Sequence, residues 1–458
     1  MGAPKQVTGA SPQLPAVHCC VLTRAVRWRI AARALASCAS VCSVGCVLSV
    51  WSCSSVGTRE TPGDGGPETA ASVDGASVEA GPDARAETEA MGDADAAGEA
   101  PDVVVTPDVV DAGMPPAAAW VMGYYYGPDE STYPVSAVEW SALTHVAAAF
   151  YRPQTDGSLD QTLGLDATAG PALATALVTA AHANGVKAIA SIGGASSQAA
   201  FEQATASGTL ATFVTNLGDL LTTYGYDGID IDWEPLATTD QPAVLAIATQ
   251  LRAAHPGVVL TIAVNYTNPN DPADLSGYVA IAAAYDQVNV ETYGMAGLWT
   301  GWKSWHTSAL HYADMATPSS IDESVGEYVH AGVPAGRLGF GASAYGLCYG
   351  EPVTGPDQSL GDAQALTDVS YADIFSSYYT AAAREWDPVA DVPYLSFAVP
   401  TGAGACTFIT YDDAQSLAGK GAYLQSHGLG GLIVWRIGAG YSSGQNPLLD
   451  AVRTSFRQ

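Results

Sequence analysis

Eight short runs of apolar and β-branched residues, separated by alanine-rich segments, constrain the fold of this chain more than any other feature. The intervening segments, such as residues 171–184 and 208–224, carry Ala and Leu at helical spacing. Strands that alternate with helices favour parallel pairing, so eight of them in about 340 residues predict a (β/α)8 TIM barrel of the α/β class. The predicted strands are residues 120–126, 145–151, 186–192, 228–233, 258–265, 287–293, 338–345 and 431–437.

A gap far longer than one helix separates the seventh and eighth predicted strands. We expect a small inserted α+β subdomain there, at about residues 346–410. Cys348 and Cys406, the two cysteines of the predicted barrel, bracket this insertion. In an exported protein such a pair favours a disulfide, with two buried unpaired thiols as the alternative.

The chain divides by composition into three parts. Residues 1–53 contain no Asp or Glu and six of the eight cysteines, and residues 117–458 form the predicted catalytic barrel. Residues 54–116 lack Leu, Ile, Phe, Tyr and Trp and are rich in Ala, Gly, Pro, Asp and Glu. Such a segment cannot bury enough apolar surface to fold, so we predict a disordered acidic linker.

The first part has the layout of an export signal. Four arginines between residues 24 and 33 precede an uncharged run at residues 34–52. Residues 50–53, Val-Trp-Ser-Cys, are similar to a bacterial lipoprotein box, although Trp51 is unusual in it. We therefore expect export, with the protein secreted or anchored to a bacterial membrane through a lipid on Cys53. A plain cleaved signal and an uncleaved membrane anchor are the alternatives.

The charge of the barrel part restricts the kind of partner. It holds 10 Lys plus Arg against 32 Asp plus Glu, which argues against nucleic acid and favours a neutral substrate. The chain's eight histidines show no His-Glu-x-x-His spacing, and no Gly-x-x-x-x-Gly-Lys motif follows a predicted strand. We expect no metal, no cofactor and a monomer.

Residues 227–234, Asp-Gly-Ile-Asp-Ile-Asp-Trp-Glu, place four carboxylates on or beside the fourth predicted strand. Because side chains alternate along a strand, Asp230, Asp232 and Glu234 share one face at intervals of about 7 Å. Crowding raises the pKa of at least one such carboxyl, which suits it to general acid catalysis. Since Glu234 ends the strand, it would lie at the carboxyl end of the barrel, where active sites of this fold are found.

This run resembles the signature of glycoside hydrolase family 18, the chitinases and their relatives. Supporting motifs follow in barrel order along residues 117–458. They are Gly123-Tyr124-Tyr125, Thr144-His145-Val146 leading to Phe150, Ser191-Ile192-Gly193-Gly194, Asn289-Val290-Glu291-Thr292-Tyr293, Tyr411-Asp412-Asp413 before the last predicted helix, and Gly430-Gly431 leading to Trp435.

The resemblance implies a retaining hydrolase of β-1,4-linked N-acetylglucosamine polymers, chitin or chitooligosaccharides. In this family the substrate's own acetamide oxygen replaces a carboxylate nucleophile. Glu234 would protonate the leaving oxygen and then act as base toward water, while Asp232 would orient the acetamide. Asp230 would share a proton with Asp232, supported by Tyr124 and Ser191.

The resemblance also implies residues that bind the sugar. Tyr293 would donate a hydrogen bond to the acetamide oxygen, and Trp435 would form the apolar floor under the ring. Phe150 and Trp299 are further predicted contacts, and one or two of Trp299, Trp302, Trp305 and His306 are expected to line the cleft. The residues predicted to be structural are Asp227, Gly193 and Gly194.

Glu291 departs from the family pattern. Where many relatives have Met-x-Tyr-Asp, this chain has Glu291-Thr292-Tyr293-Gly294, so one carboxylate is lost and another gained. We hypothesise that Glu291 points into the barrel near Asp230 and Asp232, replaces part of the missing Asp function and raises the pKa of its neighbours. The alternative is that Glu291 bonds a neighbouring loop.

Two other functions stay open at the level of sequence. One is an endo-acting hydrolase of other N-acetylglucosamine glycans, such as peptidoglycan or N-linked chains, although Trp233 favours chitin. The other is a non-catalytic lectin on the same barrel, which arises in this family when the acid is lost. The presence of Glu234 favours an enzyme.

Overall fold

The computed structural model describes residues 119–268, 273–311, 319–361 and 366–457. The predicted leader (residues 1–53) and acidic linker (residues 54–116) lie outside these residues. Among the helices of the described segments, none has the length and apolar character that crossing a membrane requires.

Strands and helices alternate along most of the described chain. The strands are β1 (Trp120–Tyr126), β2 (His145–Pro153), β3 (Leu159–Asp160), β4 (Lys187–Gly194), β5 (Gly228–Trp233), β6 (Val259–Asn265), β7 (Gln287–Glu291), β8 (Leu338–Ser343), β9 (Tyr345–Tyr349), β10 (Leu366–Ser370), β11 (Arg384–Asp387), β12 (Val392–Thr401), β13 (Cys406–Thr410) and β14 (Gly431–Trp435). The α-helices are α1 (Ala169–Ala183), α2 (Gln198–Ala204), α3 (Leu210–Tyr224), α4 (Gln241–Ala254), α5 (Tyr278–Ala284), α6 (Ile321–His330), α7 (Tyr371–Asp373), α8 (Ala414–Ser426) and α9 (Pro447–Phe456).

Eight parallel strands close into a barrel, as the sequence predicts. Their order is β1, β2, β4, β5, β6, β7, β8 and β14, and β14 pairs again with β1. Each strand falls within or beside a predicted run, although β7 ends at Glu291, two residues earlier than predicted. The fold is therefore a (β/α)8 barrel, with its site expected where the carboxyl ends of the strands meet.

The helices match the prediction less uniformly. The crossing from β1 to β2 contains three 3-10 turns, at Gly127–Ser131, Val135–Ala137 and Trp140–Ala142, where an α-helix was predicted. Pro128 and Pro134 lack the N–H that a helix interior needs, which explains the interrupted turns. Asp413 caps helix α8, which was predicted to be the last helix. Strand β14 and helix α9 follow it, so that part of the prediction is wrong.

The two faces of β5 have opposite environments. Ile229, Ile231 and Trp233 point outward into the core between barrel and helices, where the Trp233 ring stacks on Phe201 at 4.5 Å between centroids. The alternate residues, among them Asp230 and Asp232, are also buried. Burial of the apolar face, worth about 1.5–3 kcal/mol per large side chain, fixes the register that turns the carboxyls inward.

The insertion between β8 and β14 is an antiparallel sheet of order β10-β9-β13-β12-β11. Its own apolar core includes Trp305, Tyr349 and Phe408. Cys348 on β9 and Cys406 on β13 are joined by a disulfide with a Cα–Cα distance of 5.3 Å. The bond links two adjacent strands of this sheet and closes a loop with a sequence separation of 58.

We expect the double variant Cys348→Ser/Cys406→Ser to unfold at lower urea concentration, with a loss of about 2–4 kcal/mol in the free energy of unfolding. The physical reason is that the disulfide removes loop-closure entropy from the unfolded chain. Urea unfolding followed by circular dichroism measures the change, and addition of a reductant to the wild type is the matched comparison. Unfolding midpoints that coincide for variant and wild type would contradict this prediction.

Candidate active site

Asp230 lies at the centre of a hydrogen-bond set built by strand register. Ser191 on β4 and Thr261 on β6 are its lateral partners in the sheet. Ser191 Oγ donates to Asp230 Oδ2 at 2.8 Å, Tyr124 Oη donates to the same oxygen at 3.0 Å, and Thr261 Oγ1 donates to Oδ1 at 2.6 Å. Both oxygens of this fully buried carboxyl are thereby satisfied.

Asp232 stands two residues further along the same face of β5 and is only 3% exposed. Its Oδ1 atom has no hydrogen-bond partner among the residues that the structure describes. A carboxyl–carboxyl hydrogen bond joins Asp232 to Glu234, which is half-buried at the end of the strand. Ser197 Oγ accepts from the Glu234 amide at 3.0 Å and donates to the Asp232 carbonyl at 3.1 Å, so it holds the backbone of both residues.

Glu291, the last residue of β7, turns into this group. One carboxylate oxygen from each of Asp232, Glu234 and Glu291 lies within 4.8 Å of the other two. Tyr293 Oη donates to Glu291 Oε1 at 3.0 Å. The Glu291 carboxyl therefore lies beside Asp232 and Glu234, as the hypothesis that it points into the barrel requires. It does not lie against a neighbouring loop, which was the alternative. Oxygens at this spacing are also able to hold a divalent cation.

Burial raises the pKa of every carboxyl in the group, and neighbouring carboxyls raise those of Asp232 and Glu291 further. Burial is the largest cause at Asp232, where Glu234, Glu291 and Asp230 add to it. Burial and then Glu234 raise the pKa of Glu291, against the hydrogen bond from Tyr293. Burial also raises the pKa of Glu234, although the hydrogen bond with Asp232 and the nearby Arg152 lower it. The carboxyls therefore titrate as a coupled set that retains protons at a pH where isolated carboxyls are ionised.

The same forces act on Asp230 with a different balance. Burial raises its pKa, while the hydrogen bonds from Thr261, Ser191 and Tyr124 lower it. These three donors favour the ionised form of Asp230. The net effect still raises the pKa of Asp230, but its ionised form receives more hydrogen bonds than that of any other carboxyl of the set.

An aromatic group lies beside the carboxyls, inside the barrel. The Trp435 ring stacks on Phe150 with centroids 5.3 Å apart, and Tyr124 meets Trp435 edge-on at 5.7 Å. All three rings belong to the apolar cluster inside the barrel and are less than 10% exposed. Trp435, Phe150 and Tyr124, predicted separately from three strands, are therefore brought together beside Asp230.

The aromatic loop after β7 divides into two parts. Trp299 and Trp302 are half-buried, 5.6 Å apart between ring centroids, and line a cleft of about 440 Å³ with Leu298, Lys303 and Leu360. Trp305 instead is buried and donates to the Ser319 carbonyl at 2.9 Å. His306 is buried between Thr410 and Asp387. Trp305 and His306 therefore pack against the insertion, whereas Trp299 and Trp302 line the cleft.

Asp227 does not join the carboxyl group. Its Oδ2 accepts from the Ala188 amide at 2.8 Å and contacts His182 Nε2 at 2.8 Å, at the amino end of β5. Gly193 and Gly194 have φ angles of +116° and +85°. A Cβ on Gly193 would lie 2.0 Å from the Asp232 carbonyl oxygen, and one on Gly194 would lie 2.8 Å from the Phe150 ring. Only glycine fits at these two positions.

Four residues of the site were missed from the sequence. Thr261 binds Asp230, Ser197 holds the backbone around Glu234, and Arg152 acts on the Glu234 carboxyl. Tyr345 packs against Tyr293 with ring centroids 6.5 Å apart. Thr261 had a usable signal, because a hydroxyl at the middle of an otherwise apolar strand is unusual. The other three depend on loop and strand-end geometry.

Comparison with known proteins places the barrel among glycosidases. The family model described as glycosyl hydrolases family 18 matches residues 121–440. A chitinase-like effector of Moniliophthora perniciosa is 26% identical over 396 residues, covering 72% of this chain and 86% of that protein. A class V chitinase of Arabidopsis thaliana is 28% identical over 346 residues, covering 69% and 85%. The Ostrinia furnacalis Group IV chitinase structure shares the fold, with a TM-score of 0.63 at 20% identity over 74% of this chain and all of that one.

We expect Gly193→Ala to lower the free energy of unfolding by more than about 2 kcal/mol, because the new Cβ meets the Asp232 carbonyl in a left-handed backbone conformation. Gly208→Ala is the matched control, since among the described residues no heavy atom beyond Gly208 and its two chain neighbours lies within 4 Å of its Cβ position. That control should change stability by no more than about 0.5 kcal/mol. Urea unfolding measures both, and equal effects of the two substitutions would show that this strand contact does not constrain position 193.

Proposed function

The chain belongs to glycosyl hydrolases family 18, and on that premise we propose that it is a retaining hydrolase of chitin or chitooligosaccharides. The observation that carries the proposal is the series of carboxyls on one side of β5, buried at Asp230 and Asp232 and half-buried at Glu234, which follows the strand at the carboxyl end of the barrel. A lectin on this barrel needs no acid at the position of Glu234. An enzyme needs one that keeps its proton near neutral pH.

Glu234 is proposed to be the general acid. Its pKa is raised by burial, and its position at the rim leaves it half-buried and open to a glycosidic oxygen. After the leaving sugar departs, the same carboxylate takes a proton from water. The hydrogen bond with Asp232 and the Ser197 contact to the backbone hold it in place.

Asp232 is proposed to orient the acetamide of the sugar to be cleaved. Its unpartnered Oδ1 is a free acceptor for the acetamide N–H, which would turn the acetamide oxygen toward the anomeric carbon. Attack by that oxygen would form a cyclic oxazolinium ion, whose positive charge is stabilised by Asp232 and the anionic Asp230 behind it. Tyr293 is proposed to donate to the acetamide oxygen, although without substrate its hydroxyl donates to Glu291.

The aromatic residues are proposed to bind the sugar chain. Trp435, stacked on Phe150, offers a flat apolar surface under the ring at the cleavage point. Trp299 and Trp302 would contact further sugars in the cleft of the loop after β7. For residues 1–53 we propose an export signal, so that the enzyme is secreted or held at the cell surface through a lipid on Cys53. We further propose that the enzyme is a monomer.

Glu234→Gln should reduce hydrolysis of N-acetylglucosamine oligosaccharides by at least about a thousandfold while binding of the same oligosaccharides persists, because the amide cannot donate an acidic proton. Chromatography of the products measures hydrolysis, and calorimetry measures binding. The exposed Glu202→Gln removes the same charge elsewhere and should leave the rate unchanged. If wild type binds but cleaves neither chitin, peptidoglycan nor N-glycans, the lectin function replaces this one.

Glu291→Met should move the alkaline limb of the pH profile of kcat/KM to lower pH. The sign follows because a carboxylate neighbour raises the pKa of the coupled acids, so its removal lets them lose their proton at lower pH. Tyr124, Tyr293 and Arg152 also face the set and stay unchanged in this variant. An alkaline limb at the wild-type position would remove Glu291 from the coupled set.

A further inference from the structure

Helix α8 holds a lysine in the interior of the protein, where the proposed reaction gives it no role. The side chains of Lys420 and Asp412 are both buried. Lys420 Nζ donates to Asp412 Oδ1 at 2.5 Å, and Ser416 Oγ donates to the same oxygen at 2.8 Å. The attraction within a buried ion pair often only offsets the cost of removing both charges from water. Stability alone is therefore a weak reason for this pair, and the second contact of the ammonium supplies another.

The second contact leads from helix α8 to the loop after β7. Lys420 Nζ donates to Ser308 Oγ at 2.9 Å, and Ser308 Oγ donates to the Thr292 carbonyl oxygen at 2.7 Å. The direction of both hydrogen bonds is fixed, because an ammonium only donates and a carbonyl oxygen only accepts. Through the buried Ser308 hydroxyl, Lys420 thereby holds the backbone between Glu291 and Tyr293.

Thr292 lies just beyond the regular pairing of β7 with β8, which ends at Val290 and Phe340. Its Oγ1 donates to the Gly341 carbonyl and accepts from the Gly341 amide, each at 2.9 Å. Side-chain hydrogen bonds therefore continue the attachment to β8, while the Thr292 carbonyl is turned toward Ser308. The direction in which the chain leaves β7 thus depends on the hydroxyls of Thr292 and Ser308.

Tyr293 follows directly and is closely fitted. Its ring lies against Gly341, where a Cβ would come within 2.4 Å of the Tyr293 Cε1 atom. On the other side of Tyr293, the Gly294 amide donates to Thr307 Oγ1 at 3.1 Å. Because the ring and the backbone around it have so little room, a displacement of the Thr292 carbonyl is transmitted to the Tyr293 hydroxyl.

We propose that Lys420 is a positioning residue for Tyr293. Held by Asp412, its ammonium orients the Ser308 hydroxyl toward the Thr292 carbonyl and so sets the place of the Tyr293 hydroxyl. The inference rests on the proposed function, in which that hydroxyl donates to the acetamide oxygen. It deepens that function by tracing the placement of the donor to an ion pair on a helix outside the strands of the barrel.

A double-mutant cycle tests whether Ser308 acts through Tyr293. We expect Ser308→Ala to lower kcat for N-acetylglucosamine oligosaccharides about tenfold and to change KM less than about twofold, because the donor is misplaced while the sugar-binding surface is kept. In the Tyr293→Phe background, which has no hydroxyl to misplace, Ser308→Ala should lower kcat less than about twofold. Equal factors in the two backgrounds would overturn the inference.

Ser319→Ala is the matched control, because this buried serine also donates to a backbone carbonyl, that of Thr267, at 2.5 Å. It should change kcat less than about twofold in either background.

Lys420→Met/Asp412→Leu tests the ion pair itself and removes both charges, so that neither is left buried alone. We expect this double variant to fold and to lower kcat at least about threefold, because the Ser308 hydroxyl loses the group that orients it. An unchanged kcat would overturn the role of Lys420. If circular dichroism shows that Ser308→Ala does not fold, this double variant takes its place in the cycle with Tyr293→Phe.

A spectroscopic readout does not depend on hydrolysis. With 3-fluorotyrosine in place of Tyr293 alone, fluorine NMR should show a single sharp resonance in the otherwise unchanged chain and in Ser319→Ala. The resonance should shift or split in Ser308→Ala and in Lys420→Met/Asp412→Leu, and a resonance that neither change moves would overturn the inference. If the wild type cleaves no N-acetylglucosamine glycan, the proposed function fails, and the fluorine resonance still decides whether Lys420 positions Tyr293.

Discussion

The interior of this barrel depends on how buried carboxyl groups are kept stable on the inner face of one strand. Removing a carboxylate from water is costly unless hydrogen bonds or opposite charge replace the water. For Asp230 the replacement is complete, because hydroxyls from β1, β4 and β6 reach both of its oxygens. Three strands that are distant in sequence must therefore close in one register, and that closure sets the positions of Asp232 and Glu234 on the same strand.

The carboxyls differ because the hydrogen bonds that replace water become fewer along the strand, from Asp230 to Glu234. Asp230 has three donors, Asp232 has an oxygen without a partner, and Glu234 reaches the rim. Over five residues the carboxyls therefore pass from one whose oxygens are both hydrogen-bonded to one that lies half-buried at the rim, an arrangement that suits the separate roles proposed for them. Glu291 adds a carboxyl from β7 at the middle of this series, where the crowding is greatest.

The sequence was most informative where one short-range pattern decides the structure. Apolar alternation on β5 is enough to turn Asp230 and Asp232 inward, and the length between β8 and β14 is enough to require an insertion. Pro128 and Pro134 indicate that the connection between β1 and β2 is not an α-helix. The alternation of strands and helices in the rest of the chain nevertheless favoured a helix there. Trp305 and His306 were ambiguous because an aromatic loop residue packs a core or lines a cleft according to the tertiary contacts it finds. Thr261 had a local signal, a hydroxyl within an apolar strand, whereas Ser197, Arg152 and Tyr345 join the site through loop and strand-end geometry, which no local pattern specifies.

The claim that unites these features is that the substrate's acetamide, and no side chain of the protein, attacks the anomeric carbon. The most direct measurement supplies the intermediate itself, the oxazoline of the N-acetylglucosamine disaccharide, and follows it by proton NMR. We expect the wild type to accelerate the opening of the oxazoline and the sugar to appear first as the β-anomer. An oxazoline that decays at its uncatalysed rate, while the same protein cleaves N-acetylglucosamine oligosaccharides, would contradict it.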